Sequence, residues 1–343
     1  MNITEHFKEI LKNNSSKPFN TIDSIENVLS GSNKISIIIP TFNSEKYIVS
    51  CLNAIRNCIY PQDKYEIIVV DNGSKDRTIN ILECENVIIL HNNKNNIGSS
   101  RNLGANAAKN DILAFVDSDC LVDKCWLVCG VGNILYEDAL FGNTYDLPEK
   151  ASWVESLWFS NSLNKREEVE HNPGGNIFIR KSLFNDVGGF DENLKTGEDA
   201  ELCARVKKVS KVIRDPRIKV VHLGNPKTIY QFYKREVWYG LGAFGSFKQN
   251  WFDKPLIGTL LFGLILFALL LGVILLDKIS MLFLLFATVF YRIGKQVANL
   301  KKSIGLIALY TAYYSGRLVA LFYLLLGKEK YHGIKEENAK STI

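Results

Sequence analysis

No C-x-x-C pair occurs among the seven cysteines of this chain, Cys51, Cys58, Cys84, Cys120, Cys125, Cys129 and Cys203. Their scatter points to reduced, mostly buried thiols and away from zinc sites or a disulfide framework. Nor does a G-x-G-x-x-G fingerprint follow the first apolar run, which ends P-T-F-N from Pro40, so a nicotinamide cofactor is not expected. Basic residues do not gather into clusters. A net charge of +5 over 343 residues suits a surface facing anionic membrane lipids and argues against a nucleic-acid binder. The opening M-N-I-T-E-H-F-K-E-I lacks an apolar signal region, which predicts that the long N-terminal part stays in the cytosol. Charge is missing altogether from Leu256 to Leu276, and such a run is long enough to cross a hydrocarbon core of about 30 Å as a helix.

What is present is a succession of apolar runs that stop at chemistry-bearing residues. The run Ile112 to Val116 ends abruptly at Asp117-Ser118-Asp119. It reads as a strand buried on both faces. Carboxylates set against a core are paired, hydrogen-bonded or holding a cation, so a D-x-D there is a candidate site for Mg2+ or Mn2+; an acidic turn capping the next helix is the alternative. Earlier runs, Ile35 to Ile39, Tyr65 to Val70 and Val87 to Leu90, alternate with helical patterns at Ser44 to Asn57 and Arg101 to Ala108. This alternation predicts an α/β, doubly wound, mostly parallel sheet with ligands beyond the carboxyl ends of the strands. Asp71 would then face the crevice of the D-S-D pair, or close its strand as an Asx turn.

Further along, Trp126 to Leu140 reads as a helix. The Gly174-Gly175 pair lets backbone approach a ligand closely, or makes a hairpin. Glu198 and Asp199 open a helix after Gly197, where acidic residues favour the helix dipole. A second acidic pair in one domain also supplies the poised carboxylate that a general base requires. His222 ends another short apolar run and is either structural or a further metal ligand beside the aspartates.

In this order the motifs resemble the family 2 glycosyltransferases, which have a GT-A fold. The matching segments are S-I-I-I-P-T-F-N at Ser36, I-I-V-V-D-N-G-S-K-D-R-T at Ile67, N-I-G-S-S-R-N-L-G at Asn96, D-S-D at Asp117, G-G-N at Gly174 and G-E-D-A-E-L at Gly197. The resemblance implies a UDP- or GDP-linked sugar donor whose nucleoside is held by Thr41, Asp71 and Arg101, with Pro40 and Gly98 in the nucleotide-binding set. It places Asp117 on the ribose, Asp119 on the Mn2+ or Mg2+ of the diphosphate, and His222 as a further ligand, with Asp117 beside them. It makes Asp199 the catalytic base with Glu198 its neighbour, and lays Gly175 and Asn176 along the donor sugar. Inversion at the anomeric carbon follows. The segment Gln231 to Trp238 resembles the glutamine, arginine and tryptophan motif of processive polysaccharide synthases with different spacing; processivity is not expected, but Arg235 and Trp238 are candidates for donor-sugar or acceptor contact. A nucleotidyltransferase would need a G-x-G-x-R-type loop near the start, which is absent.

The domain plan reads as an N-terminal extension at 1–33, a cytosolic GT-A catalytic domain at 34–250, a membrane region at 251–327 and a polar tail at 328–343. Ile3, Phe7, Ile10 and Leu11 give the extension an amphipathic helix for the membrane surface or for the protein's own domain. Three crossings are expected, at about 256–276, 279–297 and 304–326, making a multi-pass protein of the cell membrane. Arg292, Lys295, Lys301 and Lys302 put the intervening loop in the cytosol. Arg317, inside the third span, marks a lipid-diphosphate site or a break in an interfacial helix. The expected activity is transfer to a hydroxyl on a lipid-linked or cell-surface glycan. Competing readings are a polyprenyl-phosphate glycosyltransferase, whose anionic acceptor needs no base, and a catalytically inactive, membrane-anchored sugar-nucleotide binder.

Overall fold

The apolar runs are continuous instead of alternating because both faces of the sheet they build are covered. The computed structural model describes residues 22–94, 96–160, 165–245, 254–275 and 300–326. They fall into two units, Met1–Pro148 with Asn161–Gly224, and Glu149–Ser160 with Asn225–Ile343. The amphipathic pattern at 3–11, the span at 279–297 and the tail at 328–343 lie outside the described residues.

The first unit carries strands β1 (Ile35–Thr41), β2 (Tyr65–Asp71), β3 (Ile88–His91), β4 (Ile112–Val116), β5 (Cys120–Val122), β6 (Leu140–Gly142), β7 (Glu167–Glu168), β8 (Asn176–Arg180), β9 (Val212–Arg214) and β10 (Val220–His222). Eight of them form one sheet in the order β3-β2-β1-β4-β8-β6-β9-β7, and β5 pairs with β10 in a separate ribbon. β3, β2, β1 and β4 run parallel, as expected. Beyond β4 the sheet is mixed, because β8 lies antiparallel between β4 and β6.

Successive strand residues feed opposite cores. Ile37, Ile39, Val69, Ala114 and Val116 face a cluster with Cys51, Leu52 and Trp126. Ile38, Ile68, Val70, Leu113 and Phe115 face another with Ala105, Phe184, Phe190 and Leu202. All seven cysteines are free and six are buried, in line with the thiol reading. The helix expected from Trp126 to Leu140 ends at Tyr136, since Leu140 leaves to pair with Val212 in the sheet.

The chain leaves β1 for β2 and β3 on one side and returns to β4 on the other, so its direction of winding reverses between β1 and β4. That is where an open α/β sheet forms a crevice. The β1–β4 ladder runs only from Ile35↔Ile112 to Ile38↔Phe115, whereas β1 stays paired with β2 to Thr41↔Asp71. Pro40, which has no N–H to offer, sits past the point where β4 has dropped away.

In the second unit, the helix Trp153–Trp158 opens with a capping box between Ser152 and Glu155. Three longer helices follow, Ile229–Gly245, Lys254–Leu275 and Leu300–Leu325. Trp158 packs edge-on against Phe232 and Tyr310. Among the described residues one helix, Ile304–Leu325, is long and apolar enough to cross a membrane by length and composition. The described apolar part of the preceding helix, Ile257–Phe267, is shorter. Multiple crossings are therefore not carried by the described residues. Arg317 is ion-paired with Glu236 of the helix Ile229–Gly245, so the expected mid-span cation has a protein partner.

Phe115 is fully buried and stacks within 5.4 Å of Phe184 and 5.3 Å of Phe190. Phe115→Ala is expected to lower stability by about 3–5 kcal/mol, read as a reduced urea midpoint of the first unit's transition.

Candidate functional site

The site is organised around a guanidinium with almost no access to water. Arg101, on the helix Ile97–Ala107, is 2% exposed. Its Nη2 donates to Asp117 Oδ1 at 2.8 Å and its Nη1 to Glu198 Oε1 at 2.6 Å. Burial works against the charge, but Asp117, Glu198 and Asp199 outweigh it and hold the guanidinium's pKa above its ordinary value. Burial also raises the Glu198 carboxyl, with Arg101 pulling it back. The end of β4 and the helix Ile97–Ala107 that precedes it are thereby tied to the distant helix Glu198–Val206. Gly197 makes the entry to that last helix possible, because its φ of +80° is a left-handed conformation that side chains resist.

The acidic pair divides. Glu198 is buried against Arg101, while Asp199 is half-buried and accepts the Gly174 N–H at 2.9 Å through Oδ2. The neighbouring Gly175 N–H donates to the Tyr145 hydroxyl at 3.1 Å, and that hydroxyl in turn donates to Asp117 Oδ2 at 3.4 Å. Backbone approaches side chains here as only glycine permits. A Cβ on Gly175 would lie 2.2 Å from Asp117 Oδ2 and 2.5 Å from the Tyr145 oxygen, and one on Gly174 would lie 2.6 Å from Arg101 Nη1.

Asp119 faces a different neighbour. The β5–β10 ribbon pairs His222 with Cys120, which brings His222 Nε2 to 3.4 Å from Asp119 Oδ1. Burial raises the Asp119 carboxyl and the His222 imidazole lowers it. Asp119, Cys120 and His222 have their ligand atoms within 4.8 Å of one another. A carboxylate and an imidazole suit Mn2+ or Mg2+ with substrate oxygens completing the shell. Burial raises the Cys120 thiol well above its ordinary range. The turn after β10 is shaped to the carboxylate: a Cβ on Gly224 would fall 1.9 Å from Asp119 Oδ2, and Leu223 N–H donates to the Asp119 carbonyl. The residues present fit a divalent cation at Asp119 and His222; Asp117, expected beside them, is turned to Arg101 and Tyr145.

Asp71 ends β2 on the same sheet edge as Thr41, its register partner. Its carboxylate accepts the N–H groups of Gly73 and Ser74, so the Asx turn forms. His91 Nδ1 stands 3.8 Å away. Thr41 Oγ1 is buried with no hydrogen-bond partner. Gly98 packs under the backbone of Asp191 at the start of its helix, where a Cβ would be 3.2 Å from the Asp191 carbonyl. Two expectations change. Arg101, expected on the nucleoside, is occupied by protein carboxylates. Asn176, expected along the donor sugar, is fully buried and pins three elements: it accepts from Trp126 Nε1 and donates to the carbonyls of Asn143 and Ile218. Arg235 and Trp238 belong to the second unit, where Arg235 pairs with Glu236 and Trp238 packs on Tyr239.

Sequence reasoning missed Tyr145 and the Ser44–Ser118 hydroxyl contact at 2.7 Å, which ties the loop after β1 to the D-S-D turn. Tyr145 lies in an irregular stretch after β6, and no local pattern marks it.

A family model described as Glycosyl transferase family 2 matches residues 36–188, and one described as Glycosyl transferase family group 2 matches residues 135–324. Glycosyltransferase AglE of Haloferax volcanii is 32% identical over 183 residues, 50% of this chain and 60% of that protein. The pre-mycofactocin glycosyltransferase of Mycobacterium tuberculosis is 26% identical over 226 residues, 61% of this chain and 46% of that protein. The matched regions thus span less than two thirds of either relative. The mannosyltransferase PcManGT of Pyrobaculum calidifontis, solved with GDP-Man and Mn2+, superposes with a TM-score of 0.62 over 95% of both chains at 14% identity.

Two substitutions probe this geometry. Gly175→Ala is expected to destabilise by about 1–3 kcal/mol through overpacking against Asp117 and Tyr145, measured by chemical denaturation. His222→Ala is expected to weaken Mn2+ binding on the order of tenfold or more in calorimetric titration, whereas His91→Ala leaves it in place.

Proposed function

The chain belongs to glycosyl transferase family 2 and has the GT-A fold, and from that premise we propose that it is a membrane-bound inverting glycosyltransferase. It moves a sugar from a UDP- or GDP-linked donor to a hydroxyl of a lipid-linked or cell-surface glycan. The observation that carries the reading is Asp199: a half-buried carboxylate aimed by the Gly174 N–H, one residue from the buried Glu198–Arg101–Asp117 network.

The roles divide as follows. Thr41 and Asp71, at the carboxyl edge of adjacent parallel strands, take the nucleoside, with Pro40 of β1 and Gly98 in the first turn of the helix Ile97–Ala107 beside it. Asp117, fixed by Arg101 and Tyr145, meets the ribose. Asp119 and His222 hold Mn2+ or Mg2+, which when bound offsets the charge that grows on the departing nucleoside diphosphate. Gly175 lies along the donor sugar, its missing Cβ letting the loop sit directly against Asp117 and Tyr145. Asp199 removes the proton of the acceptor hydroxyl as it attacks the anomeric carbon from the face opposite the leaving group. Arg101 and Glu198 act by holding Asp117 and the helix of Asp199 in place.

The placement of the enzyme at the cell membrane, with the first unit in the cytosol, rests on the helix Ile304–Leu325. Its most apolar window is only 22% buried within the protein, and Ile304, Phe322 and Leu325 are exposed. Arg235 and Trp238 of the second unit are assigned to the acceptor. A polyprenyl-phosphate glycosyltransferase is the second reading; its anionic acceptor would leave Asp199 without a proton to remove.

A thermal-shift screen of nucleotide-sugars with Mn2+ identifies the donor, since a bound donor raises apparent stability by mass action. With that donor, Asp199→Asn is expected to lower transfer by about 10²–10⁴-fold while the Mn2+-dependent thermal shift persists. Full turnover in the variant would remove the base and favour the anionic acceptor, and loss of the thermal shift would show that Asp199 serves binding instead.

A further inference from the structure

Among its described residues the second unit gathers two guanidinium groups on one buried carboxylate. Glu236, 2% exposed, accepts from Arg235 Nη2 through Oε1 at 3.0 Å and from Arg317 Nε through Oε2 at 3.1 Å. Within this cluster, among the described residues, two guanidinium groups therefore share one carboxylate, and the cluster carries one positive charge over. The other buried carboxylate of this unit, Glu155, accepts the Ser152 N–H of its capping box and makes no ion pair among the described residues. Arg235 has unused donors: its Nε is buried without a hydrogen-bond partner. Its guanidinium is held among aromatic rings, 4.4 Å from the centroid of Phe159, 5.4 Å from Phe232 and 5.2 Å from Tyr239. Arg317 lies 5.1 Å from the ring of Tyr313. Aromatic faces fix a planar cation without neutralising it.

A surplus cation in surroundings this apolar calls for an anion. The guanidinium edge matches the oxygens of a phosphate, which accept two parallel N–H bonds. The helix that carries Arg317 is also the one apolar enough to span a bilayer, so the anion that reaches it is borne by a lipid. We propose that Arg235 and Arg317 form a subsite for a phosphate group carried on a lipid, the phosphate end of the acceptor. The proposal deepens the lipid-linked acceptor reading and rests on it for its place in the reaction, but lipid binding is measurable without turnover.

The test uses the full-length protein in nanodiscs, with binding measured to phosphatidylcholine vesicles alone, to the same vesicles carrying polyprenyl diphosphate, and to those carrying phosphatidic acid. Inorganic pyrophosphate is the soluble control. Wild type is expected to prefer phosphate-bearing vesicles; potency with polyprenyl diphosphate alone names an acceptor, and equal potency with phosphatidic acid names a headgroup. Arg235→Gln leaves Glu236 and Arg317 as a one-to-one pair, so its thermal midpoint is expected to hold while affinity for phosphate-bearing vesicles falls about tenfold or more. Asp199→Asn, which stops transfer under the functional reading, is expected to bind these vesicles as wild type does. Lipid binding that depends on Arg235 in a protein that transfers no sugar would overturn the catalytic reading and keep the subsite. Unchanged binding by Arg235→Gln, a lowered midpoint with unchanged binding, or binding of pyrophosphate but of neither lipid would overturn the subsite.

Discussion

The buried Arg101 guanidinium is the constraint on which the site depends. A cation removed from water at this depth is tolerated only when its N–H groups are met by charge, and leaving a partner unpaired costs several kcal/mol. Asp117 and Glu198 meet it from two elements 81 residues apart in the chain, each within 3 Å. The ion pair therefore fixes where the end of β4 and the start of the helix Glu198–Val206 stand relative to each other. It also explains why two acidic residues in succession are needed at that helix start. Glu198 points inward to satisfy Arg101, and the turn of the helix then directs Asp199 away from it toward the Gly174 N–H. A single carboxylate could not both compensate the guanidinium and meet the Gly174 N–H.

From this constraint the rest of the cleft follows. With Asp117 held on one oxygen by Arg101 and on the other by Tyr145, its orientation no longer depends on a ligand. The Gly174-Gly175 backbone lies across both partners at distances that exclude any Cβ, so the loop before β8 is registered against the end of β4 by contact as well as by the antiparallel ladder. Asp119 is freed to face the β5–β10 ribbon, whose register delivers His222. Two neighbouring aspartates thus face two different groups, Asp117 the Arg101 guanidinium and Asp119 the His222 imidazole.

In the parallel half, β1, β2 and β4 were legible because they are buried on both faces and β2 and β4 stop at Asp71 and Asp117, where apolar runs end in carboxylates. β4 was bounded to the residue. The second half was less legible. β6, β9 and β10 are three residues each, too short for periodicity to register, and their pairing is set by tertiary contact. The acidic positions, Gly174, Gly175 and His222 could be singled out as residue types at strand ends and turns. What they touch could not. Nothing in R-N-L-G predicts that Arg101 is fully buried, and nothing in N-I-F-I predicts that Asn176 is spent on Trp126 and two carbonyls. Those assignments depend on which strand lies next to which. Tyr145 was invisible for the same reason: its hydroxyl matters only because β8 and the end of β4 bring Gly175 and Asp117 to it.

Charge balance distinguishes the two units in a way that composition alone conceals. In the first, one guanidinium is surrounded by Asp117, Glu198 and Asp199, with Asp119 close by, so the cluster is anionic in excess and suits a divalent cation. In the second, one carboxylate is shared by Arg235 and Arg317, so the excess has the opposite sign. In each cluster the shared central group, Arg101 in the first and Glu236 in the second, is 2% exposed, while most of the surrounding charges are partly open to solvent. A neutral pair or an apolar substitute of the same volume would hold the helices together as well, so neither cluster is accounted for by stability alone. The sign of each cluster's excess bounds the charge of a ligand it can take: the acidic cluster of the first unit favours a cation, and the paired guanidinium groups of the second favour an anion.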